Sequence, residues 1–141
     1  MQIVELRKES ELRSAYPVMF ELRDHLSEDG YMRLLEDMTS AGYRLFALKD
    51  QERIVALAGI SVGTNFYYGR YMWVYDLITT LSERSKGHGE RLLSFLEDLA
   101  RTDGCDTVAL SSALHRKDAH RFYEDRMGYE RVSYVFKRPL A

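Results

Sequence analysis

The chain has one cysteine and two prolines in 141 residues. The lone cysteine, Cys105, has no partner for an internal disulfide, which fits a reducing compartment. It follows Gly104 and opens a strand-like run, so it reads as a small packing residue. Two prolines are too few for a stiff linker, and no repeat or low-complexity segment is present. Neither sign of charge is in excess: 20 basic residues face 22 acidic ones, a formal charge of −2. A dedicated nucleic-acid binder carries a basic excess, so that class is set aside. No run approaches the roughly 18 apolar residues of a spanning helix. The first residues, "MQIVELRKESELR", are charged and lack the apolar core of a signal peptide. These absences predict a soluble, cytoplasmic protein with no nucleic-acid and no membrane partner. The histidines His25, His88, His115 and His120 show no metal-ligand spacing, so no metal is expected.

What is present is an ordinary globular mix, 45% hydrophobic and 30% charged. Its length predicts one domain over 1–141. Residues 2–7 read as a short strand. Leu12, Tyr16, Met19, Leu22 and Leu26 form a helical stripe over 11–26. Pro17 is tolerated there if Ser14 caps the helix, and otherwise kinks it. A second helix follows Ser27, with Tyr31, Leu34, Leu35 and Met38 on one face and Gly42 as the stop. Residues 43–50 and 53–62 read as a hairpin, and 69–79 as a long aromatic strand. A helix over 87–101, a strand over 106–112, a helix over 117–127 and a strand over 130–138 complete the chain. In that last strand Val132, Tyr134 and Phe136 would face inward. The order β-α-α-β-β-β-α-β-α-β predicts a mixed α/β domain with helices packed on one central sheet.

Between strand and helix lies "RSKGHG", residues 84–89. A helix N-terminus presents unpaired N–H groups and the positive end of its dipole. Glycines let a ligand approach the backbone. The pattern reads either as an anion site or as a plain connecting turn. A P-loop needs its lysine after the glycines and a hydroxyl next; here Lys86 precedes them and Glu90 follows. A dinucleotide fingerprint needs a third glycine where Leu92 stands.

Arg-x-x-Gly-x-Gly between a long strand and a helix resembles the acyl-CoA pyrophosphate loop of the GNAT acetyltransferases. "DAHRFYEDRMGY" (118–129) resembles that family's second signature, an Ala-x-x-Phe-Tyr helix ending in glycine and an aromatic. Its wording is similar to that of small-molecule amine acetyltransferases, including the aminoalkylphosphonate N-acetyltransferases. The resemblance implies the GNAT fold, α/β (α+β): a central mixed, mostly antiparallel sheet, splayed between two strands and flanked by about four helices. It implies acetyl-CoA as co-substrate. Backbone groups of Leu77, Ile78 and Thr79 would hold the acetyl group and pantetheine. Backbone N–H groups of Arg84, Ser85, Lys86, Gly87, His88, Gly89 and Glu90 would hold the pyrophosphate. Phe122 and Arg116 fall in the same cofactor-binding set. Arg116 stands where the family often has asparagine, which leaves the usual contact near the pantetheine open.

By the same resemblance Tyr123 is the general acid that protonates the leaving thiolate; otherwise it is a core tyrosine. A thiol near pKa 8.5 and a phenol near 10 are close enough for efficient transfer. Asp76, an acid inside an apolar strand, is the candidate base or water relay. It could instead fix the substrate ammonium or make a structural hydrogen bond. Tyr71, Trp73 and Tyr75 share a strand face that is either core or an amine pocket. Glu21, Asp24, Glu28 and Asp29 offer attraction for a cationic acceptor, or only an acidic helix surface.

The expected function is acetyl-CoA-dependent N-acetylation of a small primary amine by direct attack, without a covalent enzyme intermediate. The alternatives are a non-catalytic acyl-CoA sensor and a transferase acting on a protein or peptide amine. Aromatics near 66–68 and the final strand suggest a homodimer.

Overall fold

The computed structural model describes residues 1–141. The chain forms two compact units, Met1–Ala109 and Leu110–Ala141. The first holds a five-stranded sheet in which sequence neighbours are spatial neighbours, in the order β1-β2-β3-β4-β5. The strands are β1 (Gln2–Leu6), β2 (Arg44–Asp50), β3 (Arg53–Asn65), β4 (Gly69–Thr79) and β5 (Thr107–Leu110). The first four are antiparallel to their neighbours. β5 returns after a helix and meets β4 where both begin. There the Asp106 N–H donates to the Arg70 carbonyl at 2.6 Å. The Thr107 hydroxyl donates to the Tyr68 carbonyl at 3.2 Å. A strand–helix–strand crossover sets its two strands parallel, so the sheet is mixed.

The predicted helix over 11–26 is instead two helices, α1 (Glu9–Ser14) and α2 (Tyr16–Leu22). Ala15 is the last cap of one and the first cap of the other. Pro17 opens α2, where its missing N–H does no harm, whereas inside one long helix it would remove a bond. Ser14 does not cap α2; its hydroxyl donates to the Glu11 carbonyl. α3 (Glu28–Ser40) begins as expected at Ser27, whose Oγ accepts from the Gly30 N–H at 3.0 Å. Gly42 follows at φ 104.

The helices cover both sheet faces. α2 and α3 pack Val18, Met19, Tyr31 and Leu35 against Leu6, Leu45, Leu57 and Ile78, and α1 adds the partly buried Leu12. α4 (His88–Thr102) buries Leu92, Leu93 and Leu96 completely. Its side of the sheet is marked by the Phe46 and Phe95 rings, 5.3 Å apart. Each leucine fully buried in this way contributes about 1.5–3 kcal/mol. Cys105 is half-buried, and burial pushes its thiol up, away from the reactive thiolate. No helix is long and apolar enough to cross a membrane.

The second unit holds α5 (Lys117–Arg121), which continues as a π-turn over Phe122–Arg126. Gly128 follows at φ 74. The strand expected over 130–138 is not formed. Val132, Tyr134 and Phe136 are exposed, not inward. Alternating residues can pair, but a strand exists only beside another, and the sheet ends at β5. The strand expected over 106–112 is likewise shorter. The sheet therefore has five strands, not six.

Candidate active site

Loop 84–89 leaves β4 through a short 3₁₀ turn, Leu81–Glu83, and enters α4 at Gly87. Ser85 sits at φ 64 and Gly87 at φ 86. Two left-handed residues one apart turn successive N–H groups toward a common side. The backbone N–H groups of residues 85–89 find no acceptor in the chain, and no side chain caps α4. An anion would satisfy them, so the loop fits a pyrophosphate. A Cβ on Gly87 would meet nothing within 4 Å. That glycine is required by its backbone angle alone.

The loop's side chains are occupied differently from expectation. Glu83 gathers two cations and a histidine. Its Oε2 lies 3.1 Å from Lys86 Nζ and 3.4 Å from Arg53 Nη1, and its Oε1 lies 3.3 Å from His88 Nε2. Lys86 first, then His88, hold the Glu83 carboxyl below the usual carboxylate range. Arg84 folds back, its Nε donating to the Thr79 carbonyl at 3.2 Å. Arg84 thus pins the loop to the end of β4.

Leu77, Ile78 and Thr79 pair with Ala58, Leu57 and Ala56 of β3. β5 starts beside Arg70 and is only four residues long, so it ends before this stretch. On that side the end of β4 has no strand beside it. An open edge of this kind can take a ligand's amide groups as it would take another strand.

Asp76 sits within β4 and is 7% exposed. Its Oδ2 accepts from the Tyr43 hydroxyl at 2.6 Å, and its Oδ1 from Arg23 Nε at 3.0 Å. Burial first, and then the charge of Asp76, push the Tyr43 phenol well above the usual tyrosine range. Tyr43 is therefore a fixed donor. The ring of Tyr43 also packs on Tyr75, with centroids 5.9 Å apart. Tyr75 and Asp76, consecutive residues, thus touch the same side chain. Strict alternation would put them on opposite faces. The register explains it: Gly59 pairs with Asp76, but Ile60 pairs with Val74, so Tyr75 is the extra residue of a β-bulge. The bulge brings Asp76 onto the face of Tyr71, Trp73 and Tyr75. None of those three is buried. Opposite them, β3 presents only Gly59, Ser61 and Gly63.

Two of the acidic residues considered for attracting an acceptor have other work. Glu21 accepts from the Thr80 hydroxyl at 2.5 Å and from the Leu81 N–H at 2.9 Å. Glu28 pairs with Arg13 at 2.7 Å.

In the second unit Tyr123 lies on the π-turn, and its carbonyl accepts from the Tyr129 N–H at 2.8 Å. Such turns recur at functional positions. Burial raises the Tyr123 phenol, while the positive charge of Arg116 acts the other way. Arg116 caps the start of α5. The Phe122 ring packs edge-on against Tyr123 at 5.3 Å. Ser112 Oγ is buried with no hydrogen-bond partner, an orphan that a ligand would satisfy.

Glu83, Tyr43 and Arg23 were not singled out by the sequence. Tyr43 and Arg23 reach Asp76 from 33 and 53 residues away, with no local pattern to reveal them, whereas Glu83 stands within five residues of Lys86 and His88.

The acetyltransferase (GNAT) family model matches residues 6–129. The chain belongs to the GNAT acetyltransferase family. This GNAT chain is 42% identical to the uncharacterized N-acetyltransferase YhdJ of Bacillus subtilis, over 96% of each chain. It is 33% identical to the aminoalkylphosphonate N-acetyltransferase of Salmonella typhimurium over 115 residues, covering 79% of this chain and 71% of the relative. Among solved structures, an aminoglycoside N-acetyltransferase AAC(6')-Iy in complex with CoA superposes with TM-score 0.85. That match spans 99% of this chain and 95% of the other at 14% identity. A transcriptional regulator from Bacillus halodurans also gives 0.85, at 20% identity over 99% of each chain. These two likenesses establish the fold. The family membership makes the GNAT chain an acyltransferase of the N-acetyltransferase class.

Proposed function

We propose that the chain transfers the acetyl group of acetyl-CoA to the primary amine of a small molecule. The observation that carries this is the run of acceptorless N–H groups at 85–89, directly after the open end of β4. Pyrophosphate on the loop would lead the pantetheine arm along Leu77, Ile78 and Thr79. The acetyl carbonyl then lies near Asp76 and the half-open aromatic face. The second relative's name supports a small amine as the acceptor.

The amine nitrogen attacks the carbonyl carbon, and the carbon–sulfur bond breaks. Coenzyme A leaves as a thiolate that takes its proton from Tyr123. Asp76 holds the ammonium before attack and receives its proton directly or through water. Both of its oxygens are already engaged, yet Oδ2, with Tyr43 as its one donor, keeps a lone pair free. Arg116 and Phe122 orient Tyr123, and Arg116 tempers the effect of burial on it.

The test is thiol release from acetyl-CoA across a panel of small amines, beside a lysine peptide. Release with small amines is expected. Firm acetyl-CoA binding without release from any amine would leave only a sensor role, and release from the peptide alone would move the acceptor class.

Gly89→Val is expected to abolish measurable acetyl-CoA binding in a calorimetric titration, by blocking the anion's approach. Lys86→Ala is expected to weaken it only about threefold, the range of an exposed ion pair. Lys86 is already drawn to Glu83. Equal losses would show that side-chain charge, not the backbone, holds the phosphates.

A further inference from the structure

Arg23 follows α2 and reaches over the bulge of β4. Its Nε donates to Asp76 Oδ1 at 3.0 Å. Its Nη2 donates to the Tyr75 carbonyl at 2.8 Å and lies 3.0 Å from the same Asp76 oxygen. These contacts fix the plane of the guanidinium. They leave the two N–H groups of Nη1 without an acceptor in the chain, and the side chain is 40% exposed. A guanidinium that serves only to neutralise a buried carboxylate would turn its fork inward, giving that carboxylate two parallel bonds. Here Asp76 Oδ2 is supplied by Tyr43 instead, and one whole edge of the fork faces out.

Around that edge is the aromatic face of Tyr75, itself 46% exposed, opposite the glycines and serine of β3. Tyr43 covers Gly59 and Tyr71 covers Gly63, so the open part of this face lies around Tyr75 and Arg23. The charges on it are ordered: a carboxylate held inside and a guanidinium held outside, together neutral. Such a pair repels neither pole of a zwitterion and offers each pole its opposite. It offers little to a plain alkylammonium, whose charge meets a carboxylate already neutralised by Arg23. Because Arg23 is fixed before any ligand arrives, little side-chain entropy is lost on binding.

We propose that Arg23 is a specificity-determining residue that binds an anionic group on the acceptor, so that the acceptor class is a short amine bearing a carboxylate or a phosphonate. The inference rests on the small-amine transferase reading for its meaning, but its test does not need turnover. The full chain is titrated calorimetrically with glycine, β-alanine and aminomethylphosphonate, and with ethylamine and propylamine as analogues without the anion. The anionic amines should bind about tenfold tighter or better than the alkylamines, the effect of one charge-assisted hydrogen bond. The tighter of carboxylate and phosphonate then names the anion.

In Arg23→Lys the positive charge beside Asp76 survives but the outward fork is lost, and the anionic advantage should fall below about threefold. Arg23→Gln, folded by circular dichroism, should lose it altogether. Equal binding of anionic and plain amines by the native chain would overturn the proposal, and so would an advantage that persists in both variants. Thiol release is read in parallel. Release that favours plain alkylamines sinks this inference and leaves the transferase reading standing. Absence of release from every amine sinks the transferase reading, while the binding comparison still decides the role of Arg23.

Discussion

Tyr123→Phe lowers turnover by about a hundredfold or more, the low end of what a positioned general acid contributes. Acetyl-CoA affinity, measured by titration, stays within about twofold. The expectation follows from the leaving group. Coenzyme A departs as a thiolate, and only a proton prevents the reverse attack. In the proposed reaction a phenol supplies it, and phenylalanine keeps the ring and its packing on Phe122 while removing only the hydroxyl. The sign of the pH dependence can be worked out. A general acid acts in its protonated form, so activity carried by Tyr123 is present below its pKa and lost above it. Burial raises that pKa from the ordinary tyrosine value. The alkaline limb of the native profile should therefore fall above the usual tyrosine range, and it should vanish in Tyr123→Phe. A phenylalanine variant with native turnover at every pH would remove Tyr123 from the chemistry.

The second large effect is on folding. In Gly59→Ala a Cβ would lie 1.7 Å from the Tyr43 hydroxyl oxygen and 2.3 Å from its Cζ. No rotamer of alanine avoids this, because Cβ has none. Tyr43 is buried and ring-packed, so it must leave its place and give up Asp76. A buried carboxylate oxygen then loses its donor, which costs about 1–3 kcal/mol, and the displaced ring adds about as much again. Together the expected loss is about 3 kcal/mol or more, a fall in Tm on the order of 10 °C in thermal denaturation. A double-mutant cycle separates the cause. In a Tyr43→Ala background the same change should cost little, since the ring is gone. Gly63→Ala is the control. There the nearest atom is the Tyr71 hydroxyl at 2.9 Å, the far end of a side chain that is not buried. Its loss should stay within about 1 kcal/mol. Equal losses at the two glycines would mean that the Tyr43 contact is not what constrains β3.

Local patterns made much of the fold legible. Ser27 caps the helix that was read to follow it, and Gly42 and Gly128 stand at left-handed positions just past their helices. The strand-loop-helix about residues 84–89 was readable because backbone needs write themselves into glycine spacing. Pro17 announced a break without saying on which side of it the helix would start. The final strand was misread because alternation records the capacity to pair and not the presence of a partner. The candidate site was half legible. Loop and open strand end belong to one continuous stretch, so motif spacing reached them. Asp76 was visible as an acid among apolar residues. Its engagement by Tyr43 and Arg23 was not, because those contacts join segments 33 and 53 residues apart. Nor was the bulge, which leaves no trace in a list of residue types.

That bulge makes the acid's placement a matter of parity. Counting by twos from Tyr71 reaches Tyr75 and then misses Asp76, and the one surplus residue corrects the count. Adding a single residue to β3 opposite Tyr75 would restore even pairing and turn the carboxylate, relative to Tyr71 and Trp73, through the sheet toward the apolar layer beneath α4. The same addition at the exposed turn around Phe66 and Tyr67 would merely lengthen a loop. Between those two places the tolerance of this chain to insertion and deletion changes from free to prohibitive. A homologue that kept every residue of β4 but evened the pairing from β3 would keep the acid and lose its address.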